Sequence, residues 1–141
     1  MLDKYLDNPL LGRLLDVGYM AVNVGLVDEA DQILRGLAGM RPDRIEASLG
    51  LALLTWRVEG TDAALAFLEQ LGDRHGEAPP LLTFRVMVLA ASERTAEAID
   101  LARTLINSPD PQVRNFARGL VRDLTANLAS ASRLVGEPAG V

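Results

Sequence analysis

Apolar residues recur at three- and four-residue spacing along most of the chain, as expected of helices with one buried face. In Asp28–Leu37, residues Ala30, Ile33, Leu34 and Leu37 share one side, and Glu29, Asp31, Gln32 and Arg35 are polar. From about Pro111 to about Ser130, Val113, Phe116, Ala117, Leu120, Val121, Leu124 and Leu128 make one stripe. Arg114, Arg118, Arg122 and Asp123 supply its polar face. Two other segments differ in kind. Ile45–Val58 has only Glu46, Ser48, Thr55 and Arg57 as polar side chains, and Leu81–Ser92 only Thr83, Arg85 and Ser92. A helix apolar nearly all round is covered on both sides.

The pattern also repeats at long range. Ala30, Ala64 and Ala98 are 34 residues apart, as are Leu34, Leu68 and Ala102, and Leu37, Leu71 and Leu105. This is the length of the tetratricopeptide helix–turn–helix unit. One such unit cannot bury its own apolar face, so stacked units share a core. Aligning the unit on Ala30 puts Leu14, Val17, Gly18 and Ala21 at the core positions of the first helix, with Leu34 and Pro42 further on. The second unit is Ser48, Leu51, Ala52, Thr55, Ala64, Leu68 and Gly76; the third is Leu82, Arg85, Val86, Leu89, Ala98, Ala102 and Asp110. The small second-helix residue is present in all three, whereas the Trp and Tyr positions are replaced and Ser48 and Arg85 depart.

The expected fold is therefore all-α: three tetratricopeptide-like helix pairs in a right-handed solenoid plus a C-terminal capping helix. The pairs span about 9–39, 43–73 and 79–107, and the last helix about 111–130. Together they form a domain over 9–131, between an N-terminal segment, 1–8, and a mobile tail, 132–141. Local signals agree. Asn8-Pro9 reads as a cap followed by Pro at the first helical position, and Asp110-Pro111 as another. Gly25, Gly60-Thr61 and Ser92-Glu93 read as the turns inside the pairs, and Pro42-Asp43 opens the second pair. Gly72–Pro80 reads as a long loop.

In a tetratricopeptide stack the first helices line the concave face. The stripes opposite their core positions are Leu15, Tyr19 and Val22; Leu49, Leu53 and Trp56; and Thr83, Met87 and Ala90. Each triple has i, i+4, i+7 spacing, so each forms one row on its helix. The three rows predict an apolar trough suited to a partner's amphipathic helix. Two other readings compete: the rows are core beneath a folded-back last helix, or they form a homodimer face. An acidic C-terminal peptide is a poor fit, because only Asn23, Arg57 and Arg85 could meet its carboxylates.

Composition narrows the chemistry. A length of 141 residues fits one domain. The net charge of −5 and the lack of basic clusters speak against nucleic acid and anionic membranes. There is no cysteine, which excludes disulfides and thiolate metal sites. The start Met1-Leu2-Asp3-Lys4-Tyr5 does not read as a secretion signal, and no apolar run is long enough for membrane insertion. His75, the only histidine, reads as a solvated loop residue without metal or catalytic partners. Asp28, Glu29 and Asp31 fit no calcium loop, and no phosphate-binding glycine loop occurs. The expectation is a cytoplasmic non-enzyme with no catalytic residue, metal or cofactor.

Three stretches carry a family resemblance: VGYMAVNVGLVDEADQILRGL from Val17, ASLGLALLTWRVEGTDAALAFLEQL from Ala47, and SPDPQVRNFARGLVRDL from Ser108. Through them the chain resembles the tetratricopeptide-type chaperones of bacterial type III secretion, particularly those that hold the needle subunit. LAGMRPD, from Leu37, is similar to a related secretion-associated family of plant-associated bacteria. The resemblance implies a cytoplasmic virulence-associated chaperone in protein transport. It would hold the amphipathic C-terminal helix of a needle subunit in the concave groove and prevent premature polymerisation. It also implies a small helical co-chaperone packed on the N-terminal part, and no catalytic residue. A homodimer in the absence of the partner is a further expectation. The alternative is a general tetratricopeptide adaptor with a different helical partner.

Overall fold

The computed structural model describes residues 9–136, all-α with no strand among them. The chain divides into two units, Met1–Glu77 and Ala78–Val141. The first contains α1 (Pro9–Val24), α2 (Val27–Met40), α3 (Glu46–Glu59) and α4 (Thr61–His75). The second contains α5 (Pro79–Ala91), α6 (Thr95–Arg103) and α7 (Pro111–Gly136). Within the first unit each helix packs on the next, and α3 also reaches back to α1. Within the second, α5 packs on α6 and α6 on α7, and α7 reaches back to α5. This neighbour-and-next-neighbour packing is how helical repeats bury a shared core.

The 34-residue spacing marks the same buried positions each time. Ala30, Ala64 and Ala98, and Leu34, Leu68 and Ala102, are all fully buried on α2, α4 and α6. Leu37, Leu71 and Leu105 are buried one turn further on. Small residues let the paired helices approach. A Cβ on Gly18 of α1 would meet Leu34 Cδ2 at 2.8 Å, and one on Gly50 of α3 would meet the same atom at 2.9 Å. Leu34 is thus seated between two glycines, and with Ala21, Val22, Ala30, Leu51 and Leu54 it forms a core cluster of the first unit.

Two of the inner turns close alike. After α1, Gly25 N–H donates to Val22 O and Leu26 N–H to Ala21 O, with Gly25 at φ 86°. After α5, Glu93 N–H donates to Ala90 O and Arg94 N–H to Leu89 O, with Glu93 at φ 63°. This is the Schellman closure, which satisfies the last carbonyls of a helix through one left-handed residue. At the start of α7, Asp110 Oδ1 accepts from Gln112 N–H at 2.9 Å, and Pro111 occupies the first helical position, as expected.

Several expectations change. α4 continues through Gly72, Asp73, Arg74 and His75, so the connection is only 76–78, not a long loop. His75 is a half-buried helix residue rather than a solvated loop residue. The reason is a delayed stop: Gly76, at φ 74°, ends the helix with its N–H on Gly72 O at 2.8 Å. Arg74 and His75 in the last turn suit the negative end of the helix dipole. α7 runs to Gly136 rather than about Ser130, entering the expected tail. The segment 1–8 with Asn8, and the tail residues 137–141, lie outside the described residues.

The largest change concerns α1. Leu14 and Val17, assigned to the core by the repeat register, are exposed. Their counterpart face on α3 packs against α2, and among the described residues no helix precedes α1 to play that part.

Candidate functional site

The predicted trough residues fall into two groups by unit. In the first unit, Val22 is 1% exposed and Leu49 8%, so both belong to the core rather than to an open surface. Leu15, Tyr19 and Leu53 are half-buried and pack against the core cluster. Leu15 also borders a cleft that it shares with Leu11, Leu37 and Ala47. Trp56 is half-buried at the end of α3, and its indole N–H donates to Thr61 Oγ1 at 3.3 Å, across the turn to α4.

Tyr19 is the most constrained of the set. Its hydroxyl donates to the Glu46 carbonyl oxygen at 2.7 Å. Burial, with a smaller contribution from the Glu46 charge, pushes the phenol up to about 12. Tyr19 therefore fastens α1 to the first turn of α3, and its polar tip is already engaged. These contacts follow from i, i+4, i+7 spacing on a helix that faces two neighbours at once. The row is continuous, but its turns meet different partners within the unit.

In the second unit, Met87 is 49% exposed on α5, while Thr83 and Ala90 are half-buried. The Thr83 hydroxyl is buried and has no hydrogen-bond partner among the described residues. A buried hydroxyl without a partner carries a desolvation cost.

The larger open apolar surface is elsewhere, on another face of α1. Leu10, Leu14, Val17, Met20 and Val24 are all exposed. Their spacing of four, three, three and four residues holds them on one side of the helix. Leu26 and Val27, also exposed, extend the apolar surface into the turn that follows. The repeat explains the arrangement. Leu51 and Leu54 of α3 are each 7% exposed and belong to the core cluster with α2. The residues one period earlier, Val17 and Met20, are 48% and 62% exposed. The same positions are thus sealed on α3 and bare on α1.

What fits such a face is a helix like α2, amphipathic and offering small and Leu side chains at i, i+4, i+7. In α2 those are Ala30, Leu34 and Leu37. Gly18, beside the stripe, is committed to Leu34 and is not part of the exposed row. The stripe was open to sequence reading through its spacing. The repeat register hides it, because it gives Leu14 and Val17 the core positions of the later units.

Among the described residues no group of His, Cys, Asp or Glu is placed to hold a metal ion. No helix among them is long and apolar enough to cross a membrane. The chain matches no family model, no curated protein sequence and no solved structure.

Proposed function

We propose that this protein is a helical-repeat binding module that receives an amphipathic helix of a partner protein. The observation that carries the reading is the contrast between Val17 and Met20, bare on α1, and Leu51 and Leu54, sealed by α2 one period later. Apolar area removed from water contributes roughly 25 cal/mol per Å², before the costs of association. A contiguous apolar stripe rimmed by polar residues is the kind of surface that marks an interaction site.

The resemblance noted in the sequence sharpens the partner. We read the chain as a type III secretion chaperone whose client is a needle subunit. The client's C-terminal amphipathic helix would be shielded from polymerisation while bound. The mechanism is competition: the apolar face that drives self-association is buried against the chaperone instead. Within the first unit, the half-buried Leu53 and Trp56 are the remaining members of the expected trough that could add to such contact. The reading places the protein in the cytoplasm, with a small helical co-chaperone as an additional partner.

Co-expression with a short, filament-forming helical subunit tests this. The expected result is a soluble complex in which the subunit stays monomeric. Met20→Glu should abolish the complex while circular dichroism remains that of the parent. A folded Met20→Glu protein that still holds the subunit would overturn the assignment of the α1 face.

A further inference from the structure

Ser48 is the one small residue in its repeat series. The tetratricopeptide unit has Trp at this position, and the other two units of the chain have Leu14 and Leu82. Leu82 is 9% exposed, so a large side chain there is taken into the packing. Around Ser48 a cavity of about 370 Å³ opens between α2, α3 and α4. Small-molecule sites run from roughly 300 to 1,000 Å³ and are common between packed helices.

Three helices of the first unit border this space. α2 brings Arg35 and Gly39, α3 brings Ser48 and Leu51, and α4 brings Phe67 and Arg74. Leu51 is buried and Phe67 packs on the core cluster, so the two make an apolar floor. A Cβ on Gly39 would meet nothing within 4 Å, which keeps the α2 side open. No residue of the exposed α1 row borders the cavity.

The charge of the lining runs against that of the chain. The protein carries −5, yet two arginines and no carboxylate border the cavity among the described residues. Asp31 accepts from Arg35 Nε at 2.7 Å and offsets part of that charge. Arg74, exposed in the last turn of α4, has no carboxylate beside it in the lining. Guanidinium groups hold carboxylates through charge-assisted hydrogen bonds. Leu51 and Phe67 hold an apolar body by removing it from water.

We infer that this cavity binds a small monocarboxylate with an aromatic or branched apolar body. The carboxylate meets Arg74 and Arg35, and the body takes the space that Ser48 leaves. Inorganic phosphate is a poorer fit, because it leaves the apolar floor uncovered. The site is separate from the α1 face and does not depend on what that face receives.

Titration of the isotope-labelled full chain with phenylacetate and with isovalerate, followed by amide chemical shifts, tests the inference. The expected result is saturable shifts at Ser48, Leu51 and Phe67, with none at Val17 or Met20. Phenylacetamide has the same shape without the charge and should bind about tenfold more weakly than phenylacetate. Arg74→Gln should weaken phenylacetate by a similar factor. Ser48→Leu supplies the side chain that both repeat equivalents carry, so it should stay folded and lose binding. Gly39→Leu, at an exposed helix position, blocks the same cavity from α2 without altering the core.

If neither acid gives saturable shifts at these residues, the inference is overturned. A folded Ser48→Leu or Gly39→Leu variant that binds like the parent also overturns it. So does phenylacetamide or inorganic phosphate that binds as tightly as phenylacetate, since the site would then read only shape or only charge.

Discussion

The Tyr19 hydroxyl donates to the Glu46 carbonyl oxygen at 2.7 Å, joining α1 to the start of α3 across 27 residues of chain. Burial and the Glu46 charge favour the neutral phenol and push its pKa up to about 12. A raised pKa means the folded state holds the proton more tightly than the unfolded chain does. The stabilisation is fully present below the unfolded value of about 10 and is lost as pH rises through about 12. In a Tyr5→Phe background, tyrosinate absorbance should therefore appear only well above pH 10, together with loss of helicity. Tyr19→Phe should lower stability near neutral pH by about 1 kcal/mol and remove this alkaline step. A phenol that ionises with an ordinary midpoint while the helices persist would contradict the structure.

Leu34 makes the opposite kind of demand on its neighbours. Gly18 and Gly50 leave its methyl groups no room for an added Cβ, and Leu34 itself is fully buried and cannot swing aside. Gly18→Ala and Gly50→Ala should each destabilise by about 1–3 kcal/mol, although alanine is the better helix former. Gly12, also in α1, has nothing within 4 Å of such a Cβ. Gly12→Ala should stabilise by about 0.5–1 kcal/mol. Urea denaturation of the three variants checks the contrast, and a uniform response would show that propensity rather than packing decides.

Glu93 stands two 34-residue periods after Gly25 and closes its helix in the same way, but with a side chain where Gly25 has none. At φ 63° its Cβ is held in the left-handed region that glycine enters without steric cost. Glu93→Gly should therefore raise stability by about 1 kcal/mol, and Glu93→Val should lower it, because a branched Cβ fits that region worst. Thermal melts of the pair would settle the sign. If Glu93→Gly is neutral or destabilising, the left-handed closure after α5 is not the state populated in solution.

The pattern of small and apolar residues carried much of this architecture. Ala30, Ala64 and Ala98 could be read as equivalent because each must face a neighbouring helix closely, and each is fully buried. Asp110 and Pro111 were legible because a cap is a local bond between adjacent residues. What the sequence obscured was not local. Gly72 reads as a breaker, yet α4 runs on to His75 because the helix needs no left-handed residue until Gly76. Val22 and Leu49 sit on rows that look like a second free face. A row on a helix with two neighbours is buried at some turns and open at others, and spacing alone does not separate them. Val17, expected in the core, and Met20 are exposed for the reverse reason. Their equivalents, Leu51 and Leu54, are core because they cluster with Ala30 and Leu34 of α2 and with Ala21 and Val22 of α1.

That distinction between core and free apolar residues can be measured. Leu53 packs against the core cluster of the first unit, so Leu53→Glu places a carboxylate beside buried aliphatic groups. It should destabilise by about 2–4 kcal/mol and broaden or abolish the folding transition. Met20 and Met87 are 62% and 49% exposed, so Met20→Glu and Met87→Glu keep the new carboxylate in water. Each should alter stability by no more than about 0.5 kcal/mol. Chemical denaturation followed by Trp56 fluorescence, the chain's single tryptophan, reads all three. If Leu53→Glu folds as well as the parent, Leu53 is a surface residue after all, and the expected trough regains the row from Leu49 to Trp56. If Met20→Glu unfolds the protein, the α1 stripe is core in solution, and the client helix loses its docking face.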